Sequence, residues 1–209
     1  MSFNIQDLRQ KAETLLFSEI RKASGMPRPT AEKLINENNS QRIFDSKDTD
    51  INVYDIFLSH SAKDTQIILG LLDKLNNLGY SVYVDWVDDP QLVKSNVTKA
   101  TANTLRTRMN QSKSLFYATT EHASGSKWMP WELGYMDGEK DRALILPIFE
   151  SDASSSHSFN GQEYLGIYPY CIEATQKSTG MNKLWVCEST DIYVSFDEWL
   201  IGKKPYKHK

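Results

Sequence analysis

Cysteine is scarce in this 209-residue chain: Cys171 and Cys187 are its only two. They are too few and too far apart for a metal knuckle or a disulfide framework, so both read as buried thiols. The four histidines, His60, His122, His157 and His208, show no metal-ligand spacing, and the sequence calls for no metal. No apolar run approaches the roughly 18 residues that a membrane span needs. The amino terminus lacks the apolar centre of a signal peptide, so a cytoplasmic protein is expected. A basic field is missing as well. The 24 Lys and Arg against 27 Asp and Glu leave a net charge of −3, which offers nucleic acid no electrostatic footprint. The Lys-rich end from Lys203 to Lys209 reads as a solvated tail. Neither a G-x-G-x-x-G stretch nor a Walker lysine motif occurs, which argues against an ordinary dinucleotide-binding fold and a P-loop NTPase.

What is present is ordinary globular material, 40% hydrophobic and 11% aromatic, in a length that suits one domain with an appendage. Phe3, Leu8, Ala12, Leu15, Leu16, Ile20 and Ala23 recur at three- and four-residue spacing, which predicts an amphipathic helix over 3–23. Gly25, Pro27 and Pro29 end it. Thr30 opens a shorter helical stretch through Leu34 and Ile35, and the polar run 36–52 reads as a linker. The chain therefore divides into an N-terminal helical extension with linker, residues 1–48, and a larger domain, 49–209.

In the larger domain short apolar strands alternate with helices. Strands are predicted at 53–58, 80–86, 114–118, 143–149 and 184–187, with helices over 62–78, 97–109, the segment from about Pro130, and 196–201. The β-α-β-α order implies a flavodoxin-like α/β fold, an open five-stranded parallel sheet with helices on both faces. Residues 151–182 form a Ser-rich insertion with an aromatic cluster, Tyr164, Tyr168 and Tyr170, of a length that is either functional or a cover for the sheet.

Ligands of such sheets bind beyond the carboxyl ends of the strands, where the following loops gather. That edge collects Ser59, His60, Ser61 and Asp64 after the first strand, Asp85, Trp86 and Asp89 after the second, and Thr119, Thr120, Trp128 and Glu132 after the third. The densest chemistry lies in residues 124–135, where Trp128 and Trp131 flank Glu132. With Pro130 at the first helical position, Glu132 falls in the first turn, where exposed N–H groups and the helix dipole favour a carboxylate. A receiver domain is rejected because Ser59-His60-Ser61 stands where its acidic cluster belongs. A Ser-His-Asp hydrolase is rejected because adjacent Ser59 and His60 cannot easily share a catalytic hydrogen bond and no nucleophile elbow is present.

These residues resemble the TIR domains in their bacterial form. The resemblance is carried by Tyr54-Asp55-Ile56-Phe57-Leu58-Ser59-His60, by Gly79-Tyr80-Ser81-Val82-Tyr83-Val84-Asp85, and by Trp128…Trp131-Glu132-Leu133-Gly134. It covers about residues 53–150, with a weaker tail to about 202. The resemblance implies an enzyme that cleaves the nicotinamide–ribose bond of NAD⁺, the substrate, without a further cofactor, and assigns the catalytic carboxylate to Glu132. Ser59, His60, Ser61, Asp85, Trp86, Trp128 and Trp131 are the residues it places around the nucleotide: Ser59 and Ser61 towards phosphate oxygens, Trp128 and Trp86 towards rings. It also implies homotypic TIR–TIR assembly and, as in Thoeris anti-phage systems, a separate effector that responds to an ADP-ribose-derived product, linear or cyclic. Two alternatives stay open on the sequence: a non-catalytic TIR–TIR scaffold, and an enzyme like a nucleoside deoxyribosyltransferase.

Overall fold

Alternating apolar residues on each strand send side chains to opposite faces of a central sheet, and the helices sort onto those faces accordingly. A computed structural model of the chain describes residues 3–22, 54–89, 92, 97–149 and 163–208, and the side chains of all of these but 17–22 and 163. The helix expected near 30–35, the linker 36–52 and the first part of the 151–182 insertion lie outside the described residues. In chain order the elements are β1 (Phe3–Asn4), α1 (Ile5–Lys22), β2 (Tyr54–Ser59), α2 (Thr65–Asn77), β3 (Val82–Tyr83), α3 (Asp85–Asp88), α4 (Lys99–Asn110), β4 (Ser112–Thr119), α5 (Trp128–Lys140), β5 (Ala143–Phe149), β6 (Tyr170–Thr175), β7 (Asn182–Cys187), β8 (Ile192–Ser195), α6 (Phe196–Leu200) and β9 (Tyr206–Lys207).

The sheet runs β3-β2-β4-β5-β6-β7-β8-β9, with β1 added alongside β5. Its first five members are parallel. This is the expected α/β architecture, with more strands than the five read from the sequence. Leu184–Cys187 was expected as the fifth parallel strand; that place is taken by β6, inside the supposed insertion, and β7 runs antiparallel to it. The reason is reach. Only residues 176–181 separate β6 from β7, enough for a hairpin but not for the crossover that a parallel pair requires. The second strand is also shorter than 80–86. Only Val82 and Tyr83 pair, because the Asp88 carboxylate accepts the Val84 N–H at 2.8 Å and starts a helical turn there.

One face of the sheet packs Ile56, Leu58, Phe116, Leu144 and Leu146 against α1, α2 and α6; the other packs Phe57, Tyr83, Leu115, Tyr117 and Ile145 against α4 and α5. The N-terminal segment belongs to the first layer. Phe3, Ile5, Leu8 and Ala12 are buried, and Phe3–Asn4 pairs in parallel with Ile148–Phe149. The Asn4 side chain accepts the Gln6 N–H at 2.8 Å, a cap that turns the strand directly into α1. Helix α1 crosses α2 at Gly70, where a Cβ would fall 2.0 Å from the Leu8 carbonyl oxygen. Only glycine admits so close an approach.

The helix ends at both edges of the sheet are closed locally. Gly79, at φ 95°, ends α2, and Asp141, at φ 51°, ends α5. Thr98 caps α4 by accepting the Thr101 N–H at 3.1 Å. Lys140 reaches across to the carbonyls of Met109, Asn110 and Ser112, at 3.2, 2.7 and 2.6 Å, and so ties the start of β4 to α5. Burial pulls its amine below the ordinary lysine range.

Candidate active site

Helix α5 begins at Trp128, two residues earlier than Pro130 suggested. Proline at the third helical position is tolerated because the first four N–H groups lack intrahelical acceptors in any case. Glu132 consequently lies beyond the first turn, where the helix dipole no longer favours its charge. The same shift puts Trp128 and Glu132 four residues apart within one helix, on one face. Glu132 turns inward, fully buried, and the Ser59 hydroxyl donates to its Oε2 at 2.6 Å. Ser59 is the last residue of β2 and is itself fully buried. It anchors the carboxylate, a role different from the phosphate contact expected of it. Tyr117, the residue paired with Ser59 across the β2–β4 ladder, is pushed up to about 12 by burial, with the charges of Tyr164 and Glu132 adding to it.

A second group of predicted residues meets beside the first. The His60 ring takes its tautomer from the Leu58 carbonyl, which accepts Nδ1–H at 2.8 Å. Nε2 then accepts the Trp86 indole N–H at 3.0 Å. Asp85 Oδ1 lies 3.2 Å from the same Nε2 and accepts the Trp86 backbone N–H at 2.8 Å. His60 and Asp85 are buried, Trp86 half-buried. This polar knot fixes the indole of Trp86 at the edge of the loop after β3. Ser61 is buried and caps the short turn 62–64, its hydroxyl accepting the Lys63 N–H at 3.4 Å.

The loop after β3 is braced further. The Arg108 guanidinium donates from Nε and Nη2 to the two Asp89 oxygens at 2.8 and 2.9 Å, and the Tyr83 hydroxyl donates to Asp89 at 2.9 Å. Tyr54 donates to Asp88 at 3.1 Å. Burial pushes the Asp88 carboxyl up to about 6, while the Val84 N–H and the Tyr54 hydroxyl pull the other way. No sequence signal pointed to this brace, since its members come from four separate elements.

Trp128 and Trp131 meet edge to face, 5.4 Å between centroids. Trp131 stacks on Tyr135 and lies under the Arg106 guanidinium at 5.2 Å, so it belongs to the α4–α5 contact. The structure thus brings together Ser59 with Glu132, and His60 with Asp85 and Trp86; Trp128 adjoins the first group along α5, while Trp131 points to the neighbouring helix. A groove of about 810 Å³ on the β6–β9 extension, lined by Ile172, Trp185, Tyr193 and His208, shares no residue with these clusters.

A half-exposed indole beside a buried, serine-anchored carboxylate at the carboxyl edge of a parallel sheet suits a substrate that develops positive charge next to an aromatic ring. No family model matches the chain. Among curated proteins it is 51% identical over 148 residues to the probable 3′ cyclic ADP-D-ribose synthase ThsB′ of Bacillus cereus (strain MSX-D12), a match covering 71% of this chain and 76% of that one. It is 37% identical over 84 residues to the putative cyclic ADP-D-ribose synthase TIR2 of Cytobacillus dafuensis, covering 40% of this chain and 22% of that one. With half of the aligned residues identical along about three quarters of the first relative, the chain belongs to the Thoeris-type TIR-domain proteins.

Proposed function

We propose that the chain is an NAD⁺-cleaving cyclase that releases nicotinamide and closes the remaining ADP-ribose into a cyclic signal in anti-phage defence. The observation that carries this reading is Glu132, fully buried and held by Ser59 at the edge where the strand ends converge. Departure of nicotinamide leaves an oxocarbenium-like ribose, and a fixed carboxylate beside it stabilises that charge as it forms. Nicotinamide is cationic in the substrate and leaves neutral, so the leaving group needs no proton. Trp128 supplies an indole face for the ring or ribose, one helical turn from the carboxylate. The names of the two relatives favour this reading over the scaffold and deoxyribosyltransferase alternatives.

Among the described residues no helix is long and apolar enough to cross a membrane. Self-assembly through TIR–TIR contacts and a separate effector that senses the product complete the proposal. The decisive experiment is nicotinamide release from NAD⁺ by wild type and Glu132→Gln, over a range of protein concentration. Glu132→Gln is expected to lose at least about a hundredfold in turnover, the scale of one preorganised electrostatic partner. A variant as active as wild type would remove Glu132 from the mechanism.

A further inference from the structure

Outside the Ser59–Glu132 pair, the carboxyl edge holds a second pair of groups with catalytic geometry. Asp64 follows β2 and is buried, 3% exposed. The Thr120 hydroxyl donates to its Oδ2 at 2.5 Å, and His122 Nδ1 lies 2.7 Å from its Oδ1. Both Asp64 oxygens act as acceptors, so Nδ1 carries the ring proton and donates it to the carboxylate. The Nε2 lone pair is then directed away from Asp64, on an imidazole whose side chain is 35% exposed. Its neighbour on that side is Glu121 Oε1 at 3.7 Å. A carboxylate that fixes the tautomer of a half-open imidazole is the arrangement by which a histidine is readied to take a proton.

The topology sets this dyad close to the proposed chemistry. Strands β2 and β4 are neighbours, and Ser59, the partner of Glu132, pairs with Tyr117. Asp64 and His122 each lie five residues beyond that rung, in loops clasped by their mutual bond. The loop carrying His122 runs directly into α5, with Trp128 and Glu132.

We infer that His122 is the base for ring closure, oriented by Asp64; the inference rests on the NAD⁺-cleaving reading above. After nicotinamide leaves with the electron pair of the glycosidic bond, the ribosyl cation can be captured by water or by a hydroxyl of the same nucleotide. In the second case a lone pair of the hydroxyl oxygen forms the new C–O bond, the O–H bond breaks with its electrons returning to oxygen, and the proton passes to Nε2 of His122. Glu132 stabilises the cation, and the dyad removes the proton that capture by a hydroxyl sets free. Capture by water also sets a proton free, but solvent takes that proton, whereas the hydroxyl of the nucleotide hands its proton to Nε2; the dyad therefore biases capture towards the cyclic product.

The test is the ratio of cyclic to linear ADP-ribose per nicotinamide released, measured by mass spectrometry for wild type, His122→Asn and Asp64→Asn. Asparagine keeps a donor where Nδ1 stands, so the bond to Asp64 and the loop clasp survive while Nε2 is lost. His122→Asn is expected to lower the cyclic share at least about tenfold, the lower end of what a positioned base contributes. Asp64→Asn lowers it too, because an amide no longer fixes the tautomer. An unchanged cyclic share in His122→Asn overturns the inference and leaves the clasp as a structural brace. Wild type that releases nicotinamide but makes only linear ADP-ribose overturns it while sparing NAD⁺ cleavage. Wild type that releases no nicotinamide at any concentration overturns both.

Discussion

Gly70→Ala is the sharpest test of how the N-terminal helix is held. A Cβ at this position would lie 2.0 Å from the Leu8 carbonyl oxygen and 2.7 Å from its carbonyl carbon. Both are backbone atoms, so no rotamer change relieves the clash, and α1 must shift by more than an ångström or detach. Full detachment re-exposes Phe3, Ile5 and Leu8, each 8% exposed or less, at about 2 kcal/mol apiece. Backbone freedom regained by the released helix offsets part of that, as does the better helix propensity of alanine, about 1 kcal/mol. The expected net loss is about 3 kcal/mol, which for a chain of this size lowers Tm by roughly 9 °C. Gly138→Ala in α5 is the control, since its Cβ would meet nothing within 4 Å. That variant should gain up to about 1 kcal/mol. Circular dichroism melts of both, with limited proteolysis to report release of α1, decide the matter. If Gly70→Ala melts within about 2 °C of wild type, the packing described for α1 is wrong.

Other perturbations reach the site itself. Ser59→Ala removes the donor to Glu132 and should cut nicotinamide release by about tenfold, while Ser59→Thr retains a hydroxyl and recovers part of it; equal loss in both would separate the hydroxyl from activity. Arg108→Ala leaves the buried Asp89 carboxylate without its guanidinium and should lower stability by about 2 kcal/mol in urea titrations. Asp88, raised from 3.8 to about 6 in the folded protein, binds more proton folded than unfolded across that interval. Its contribution is therefore fully present below about pH 4 and is lost as pH rises through 6, a change of about 3 kcal/mol. Asp88→Asn should flatten that part of the stability profile relative to wild type. Asp55 works in the opposite sense: burial raises its carboxyl, but bonds from Lys113 and Ser81 outweigh burial and hold it below the usual range, so what it contributes is lost as the solution is acidified.

Much of the fold was legible because hydrophobic periodicity is a local signal. Ile67, Ile68, Leu71, Leu72 and Leu75 announced α2, and the apolar runs before Ser59 and Phe149 announced β2 and β5. What stayed hidden depends on partners distant in sequence. Two residues, Phe3 and Asn4, are too short a run to read as a strand until Ile148 and Phe149 lie alongside them. Likewise β6 was concealed by the polar residues around it and by Tyr170, which reads equally as loop or strand. At the site, Glu132 and Trp128 were visible through their four-residue spacing. The donor role of Ser59 was not, because it depends on α5 beginning at Trp128 and turning Glu132 beneath the end of β2. The Asp64–His122 bond joins two loops 58 positions apart, and no pattern along the chain marks it.

The pairing of Phe3–Asn4 with Ile148–Phe149 also constrains the order in which the protein can be assembled. On the ribosome the first strand emerges long before its partner exists. Until Phe149 has left the exit tunnel, Phe3 has no strand to join, and the apolar stripe of α1 can find only α2. The N-terminal segment must therefore wait, partly docked, for most of the synthesis of the chain. A translation pause after β5 would favour capture of this segment by its own sheet, and a pause before it would leave a sticky helix open to chaperones or to a neighbouring nascent chain.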